Sequence, residues 1–332
     1  MKELRFAQNF SLIALNAQDS LHLTTTKKVS LRCMAAAAIL EIYLDNGFSR
    51  TGEILSFTKQ DLGHSSMPSY QEKVLKTLLG KKEVISGTLS HYLTKVLRLS
   101  KGHLKEMEQA FAASLEEAQA IEEIPALLGC DLEFVTAGIS MKEYRSHPEL
   151  YTRLIESLRA EILEEGTMTD EAILMLWLLR ESSCLYDLFS REELKRVAVQ
   201  IQQLLEDSAL AKQILPITIH KFIETAYKNF LKIKRDVMST PTGSGLNFIF
   251  PVLERSQSIF IETEEIFPNK KDRLRDLKVR IEEKGHDFTV IREGEVPLVK
   301  IDNVLYEAVP SATPYYQVAV HGVRLRKYPL SL

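Results

Sequence analysis

Two apolar segments constrain this chain more than anything else in it. Leu31, Met34, Ala35, Ala38, Ile39, Ile42 and Tyr43 recur at helical spacing between Leu31 and Asp45, and the alanine run among them leaves nearly every face apolar. The second segment, Ile173–Leu179, is apolar all round. It follows Thr169 as N-cap, with Asp170 and Glu171 in the first turn, where the helix dipole favours acids. A helix without a polar face has to be covered on every side. Both segments therefore predict central rods of a helical body, the first stopped by Gly47.

The same spacing predicts flanking helices at about Ser69–Leu79, Val84–Leu97, Lys101–Glu123, Leu150–Glu164, Arg191–Leu205 and Pro216–Lys232. Apolar β-formers around Gly138 predict a strand or hairpin over Leu132–Met141. The run STPTGSG at Ser239–Gly245 reads as a linker. Beyond it, strand patterns at Ser256–Ile261, Asp287–Arg292, Pro297–Ile301, Val304–Val309, Tyr316–Val320 and Val323–Arg326 accompany one charged helix, Lys270–Lys284. Asp302–Asn303 and His321–Gly322 read as two-residue hairpin turns. The expected fold class is mainly α. It comprises a helical domain over residues 1–238 with central buried helices, followed by a small α+β domain over residues 246–332 of unassigned role.

Charge and motifs narrow the chemistry. Lys and Arg number 42 against 45 Asp and Glu, a net charge of −3 that argues against a general nucleic-acid binder, which needs clustered cations to release counterions. Cys33, Cys130 and Cys184 are far apart and read as reduced thiols of a cytoplasmic protein. No stretch reaches the roughly 18–20 apolar residues that span a bilayer, and MKELRFAQNF lacks a secretory apolar region, so any membrane contact is expected to be peripheral. The eight histidines show no metal-ligand spacing. Nucleophile elbow, phosphate loop and dinucleotide fingerprint are all missing, so no enzyme, metal or cofactor is expected. The basic runs at Lys228–Arg235 and Lys270–Arg280 read as solvated faces, the second with acids interleaved.

The order of these pieces resembles the Golgi phosphoprotein 3 family over about residues 8–230. FSLIALNAQDS at Phe10–Ser20 looks like the family's apolar opening and acidic turn, and Leu31-Arg32-Cys33 through Gly47 is similar to its buried helix. PSYQEKVLKTLL matches a later helix in place and pattern. The most specific match is the series His147-Pro148, Arg153–Leu163, Ala172–Leu179, Leu185–Phe189 and Arg196–Leu205.

The resemblance implies a helical body with a shallow basic pocket for the phosphorylated head group of phosphatidylinositol 4-phosphate. Arg32 falls on a pocket arginine, while the pocket's aromatic residue and two further arginines fall on Leu23, Leu115 and Ala118. With Lys27 and Lys28, Arg32 is the candidate head-group site, at a helix start whose free N–H groups favour anions. The plainer alternative is that these residues solvate the helix end or pair with a neighbouring acid. The expected function is a non-catalytic peripheral membrane or adaptor protein that binds anionic phospholipid or phosphoinositide, with a protein partner or a second copy as further partners. Two alternatives stand beside it. One is a soluble scaffold that oligomerises through the 132–141 hairpin, and the other a small-ligand binder or enzyme with a site between the domains.

Overall fold

The computed structural model describes residues 3–62, 67–138, 140–164, 166–219, 258–263, 269–315 and 318–328. The expected helix beyond Ile219, the basic run to Arg235 and the linker at Ser239–Gly245 lie outside them.

The first apolar segment forms α2 (Thr25–Leu44), started by Thr24, whose side chain accepts the Lys27 amide. Cys33 to Leu40 are fully buried. Around α2 pack α1 (Phe6–Leu15), α3 (Ser69–Leu79), α4 (Leu89–Val96), α5 (Lys101–Glu117) and the second rod, α8 (Asp170–Glu181). Methyl side chains at Ala35–Ala38 let these neighbours approach closely, and interiors tolerate few voids, so such a rod demands a complete shell. Thr169 caps α8 as expected, accepting the Ala172 amide at 3.2 Å. Leu174 and Leu176–Leu179 are fully buried, and the Trp177 indole donates to the Ile217 carbonyl at 3.0 Å. The outer helices are α7 (Pro148–Leu163), α9 (Leu185–Leu188), α10 (Arg191–Asp207) and α11 (Ala209–Ile214).

The expectation of a mainly α protein is overturned. Among the described residues 53% are helical and 21% strand, which makes the fold α+β. Strands interrupt the helical body itself: β1 (Ser49–Thr51), β2 (Ile54–Thr58) and β3 (Val84–Gly87) form one antiparallel sheet, and β4 (Ile121–Pro125) pairs with β5 (Lys142–Ser146). These strands have three to five residues each, too few to stand out as a period-two signal in the sequence. The Val84–Leu97 helix accordingly splits into β3 and α4. Leu132–Met141 is not a hairpin: Leu132–Ala137 is the short helix α6, and the paired strands lie on either side, from Ile121↔Ser146 to Pro125↔Lys142. A scaffold that oligomerises through a hairpin at 132–141 therefore has no such hairpin to use.

The C-terminal part is an antiparallel sheet in the order β6-β10-β9-β8-β7. Its strands are β6 (Ile259–Glu262), β7 (Phe288–Arg292), β8 (Leu298–Ile301), β9 (Val304–Tyr315) and β10 (Val318–Lys327), and α12 (Lys270–Glu282) packs against it through Leu277 and Ile281. Asp302 and Asn303 form the β8–β9 turn with φ of 47° and 71°, the left-handed pair that a tight hairpin requires. His321–Gly322 is not a turn but lies inside β10, opposite Ala312 and Ser311. There glycine answers a close approach, since a Cβ at Gly322 would stand 2.2 Å from the Ile261 carbonyl oxygen. The two parts share packing: Leu127, in the β4–β5 connection, joins the core formed by Ile261, Val299, Ile301 and Leu325. No helix among the described residues is long and apolar enough to cross a membrane.

Gly322→Val is expected to force β6 away from β10 and lower stability by about 1–3 kcal/mol, the usual cost of overpacking. Hydrogen exchange checks it: protection should fall in β6 and β10 and hold in α2.

Candidate functional site

The expected head-group residues have other partners. Lys27 is buried against α5, its ammonium 2.5 Å from Glu108 Oε1, and Glu108 also accepts the Leu21 amide at 2.9 Å. Burial pulls the Lys27 ammonium below its ordinary range, and Glu108 opposes that shift. Lys28 is half-buried on the first turn of α2. Arg32 spends its guanidinium on carbonyls: Lys28 at 3.1 Å, Leu97 at 3.3 Å and Leu99 at 3.2 Å. The neighbouring-acid alternative thus describes Lys27, and Arg32 clamps the turn after α4. Lys27→Met alone should cost about 3–5 kcal/mol by leaving Glu108 buried without its cation, and Lys27→Met with Glu108→Leu should recover most of it. Urea unfolding of the wild type, single and double variants measures both.

The clamped turn carries a group of basic residues, with Lys82, His91 and Arg98 exposed and Lys95 half-buried. Arg32 holds the carbonyls on either side of Arg98, which follows an α4 whose Leu89, Tyr92, Leu93 and Val96 face the core. On its outer face are His91 and Lys95, one helical turn apart, with Lys82 from the α3–β3 connection beside them. Partial burial, then Lys95, Lys82 and Arg98, hold the His91 imidazole below its ordinary range, and Lys95 is lowered by burial, Lys82 and Arg98. No carboxylate offsets these effects, and among the described residues neither His91 nor the cations Lys82, Lys95 and Arg98 form an ion pair. Attention to charge would have found His91, Lys95 and Arg98, because Val84–Lys105 contains neither Asp nor Glu, but not Lys82, which stands next to Glu83.

A second cluster lies where the sheet meets the helical body. Asn303 Nδ2 donates to the Ser146 carbonyl at 2.7 Å, Asn16 Nδ2 to the Asp302 carbonyl at 3.2 Å, and the Arg145 guanidinium to the Gly285 carbonyl at 2.9 Å. Inside this seam His286 Nδ1 hydrogen-bonds Asp302 Oδ2 at 2.5 Å and stands 4.0 Å from Glu143 Oε1. Asp302 Oδ1 accepts from Arg145 at 3.2 Å and from the Asp287 amide at 3.0 Å. All three residues are buried. Burial first, then the Asp302 charge, push the Glu143 carboxyl up to about 8. No local motif announces this trio, because its members come from β5, the chain entering β7 and the β8–β9 turn.

Beside the seam opens a cleft of about 290 Å³, lined among others by Tyr151, Arg159, Asp187, Lys300, Asn303 and Lys327. Lys327 pairs with Asp187 at 3.3 Å and Arg159 with Glu193, while Lys300 forms no ion pair among the described residues. No protein-family model and no curated protein matches this chain.

Proposed function

We propose that the protein is a non-catalytic peripheral or adaptor protein that docks on an anionic membrane surface through the face formed by Lys82, His91, Lys95 and Arg98. The observation that carries the reading is the gathering of these cations without a single ion pair among the described residues. Like charges repel, and proteins normally disperse or pair them, so an unneutralised group suits an anionic counterpart. Each Lys or Arg near an acidic bilayer contributes about 1 kcal/mol, so Lys82, Lys95 and Arg98 supply about 3 kcal/mol, on the order of a hundredfold enrichment. That suffices for reversible attachment. The order of elements that resembles Golgi phosphoprotein 3 agrees with surface binding, and phosphoinositide as the lipid rests on that resemblance. Arg32 acts in this reading as a positioning residue under Arg98 and not as the head-group ligand.

Flotation with phosphatidylcholine vesicles, alone or with phosphatidylglycerol or phosphatidylinositol 4-phosphate, tests it. The protein should float only with anionic lipid, and Lys82→Glu/Lys95→Glu/Arg98→Glu should abolish flotation while shifting the melting temperature little, since Lys82 and Arg98 are exposed and among the described residues none of the three has an ion pair to lose. Equal flotation of wild type and triple variant would end the proposal. Binding should also tighten as pH falls below the ordinary imidazole range, because His91, with its lowered proton affinity, becomes a fourth cation only there. His91→Gln should remove that pH dependence.

The cleft beside the seam supports a second reading, a small organic anion held by Lys300. A rise in melting temperature with phosphorylated or carboxylated metabolites, lost in Lys300→Glu, would favour it.

A further inference from the structure

We propose that Glu143, His286 and Asp302 bind a divalent transition-metal ion of the zinc class, which fastens the C-terminal sheet to the helical body. One ligand atom from each residue lies within 4.8 Å of the other two, in a pocket that buries all three. One imidazole and two carboxylates form a mixed nitrogen and oxygen donor set that suits zinc, with metal–ligand bonds of about 2.0–2.2 Å. Tetrahedral coordination at that length separates donors by about 3.4 Å. The observed separations of His286 Nδ1 from Asp302 and Glu143, 2.5 Å and 4.0 Å, fall on either side of it, so small side-chain rotations complete the arrangement.

The fully buried His286 ring turns its Nδ1 to both acids, which makes Nδ1 the nitrogen available to an ion held between them. Charge agrees with geometry. Of the two buried carboxylates only Asp302 meets a guanidinium, that of Arg145, which also pairs with Glu122 and Asp287, and Glu143 has no Lys or Arg within ion-pair distance among the described residues. A divalent ion between them would hold Glu143 in its ionised form, and Arg145 then orients Asp302 as an outer partner of the kind that tunes metal ligands. The role is structural, because the three ligands are buried and come from both sides of the seam.

The test uses the full chain, stripped with a chelator and titrated with zinc against a chromophoric competitor. One zinc per chain is expected, with a rise in melting temperature on loading. Glu143→Gln and Asp302→Asn, both isosteric, should each weaken zinc binding at least tenfold while circular dichroism stays unchanged, and flotation on anionic vesicles should be unaffected. Should either variant fail to fold, X-ray absorption of the zinc-loaded wild type decides, with one imidazole and oxygen donors expected. No zinc above background, affinity unchanged in both variants, or a spectrum with sulfur or several imidazoles would overturn the proposal.

Discussion

The helical body is arranged around a carboxylate that has no access to water. Glu41 sits on α2 with its side chain 2% exposed, and it accepts the Ala7 amide at 2.7 Å, the Tyr70 hydroxyl at 2.8 Å, the Gln71 amide at 2.5 Å and the Arg5 guanidinium at 2.8 Å. An unpaired buried charge costs several kcal/mol, so α1 and α3 have to meet α2 at the one rotation that brings these donors together. Alanine packing brings the helices close without distinguishing one register from the next, and the buried polar contacts supply that distinction. Lys27–Glu108 does the same between α2 and α5, and Glu181, which accepts the Ile219 amide at 2.6 Å and pairs with Arg180, does it behind α8.

That arrangement links the core to the outer face. Arg32 projects from the buried rod to the carbonyls after α4, so the position of Arg98 is set by the same helix that Glu41 and Lys27 hold in place. Surface binding in this reading depends on core geometry through a single guanidinium. Substitution of Arg32 thus acts on the turn before it acts on any ligand.

The join between the two parts follows a different rule. The β8–β9 turn, with its left-handed Asp302 and Asn303, inserts its polar groups against β5 and Asn16, and the Phe260 amide donates to Asp131 at 2.7 Å. Leu127 adds an apolar plug from the helical side. The seam is therefore mostly polar, with Glu143, His286 and Asp302 buried at its centre. Such a seam is specific, because donors such as Asn303 and Arg145 each reach two acceptors that only this arrangement brings together, and it leaves both charge and coordination chemistry at the point where the parts meet.

Local chemistry in the sequence determined the long elements. The two rods, the Thr169 cap, the charged α12 and the Asp302–Asn303 turn are each specified by residues within a few positions of one another, through spacing, capping and backbone freedom. Strands such as Ser49–Thr51 and Lys142–Ser146 were illegible because their stability comes from partners remote in the chain, and so the fold class was misjudged. The same limit explains the sites. The basic residues around α4 went unread although they lie in an acid-free stretch, whereas Lys27 was read as a head-group candidate until folding set Glu108 against it. Only tertiary structure could decide that, or bring Glu143 to His286 and Asp302 across more than a hundred residues, because a contact between distant segments leaves no periodic trace in either one.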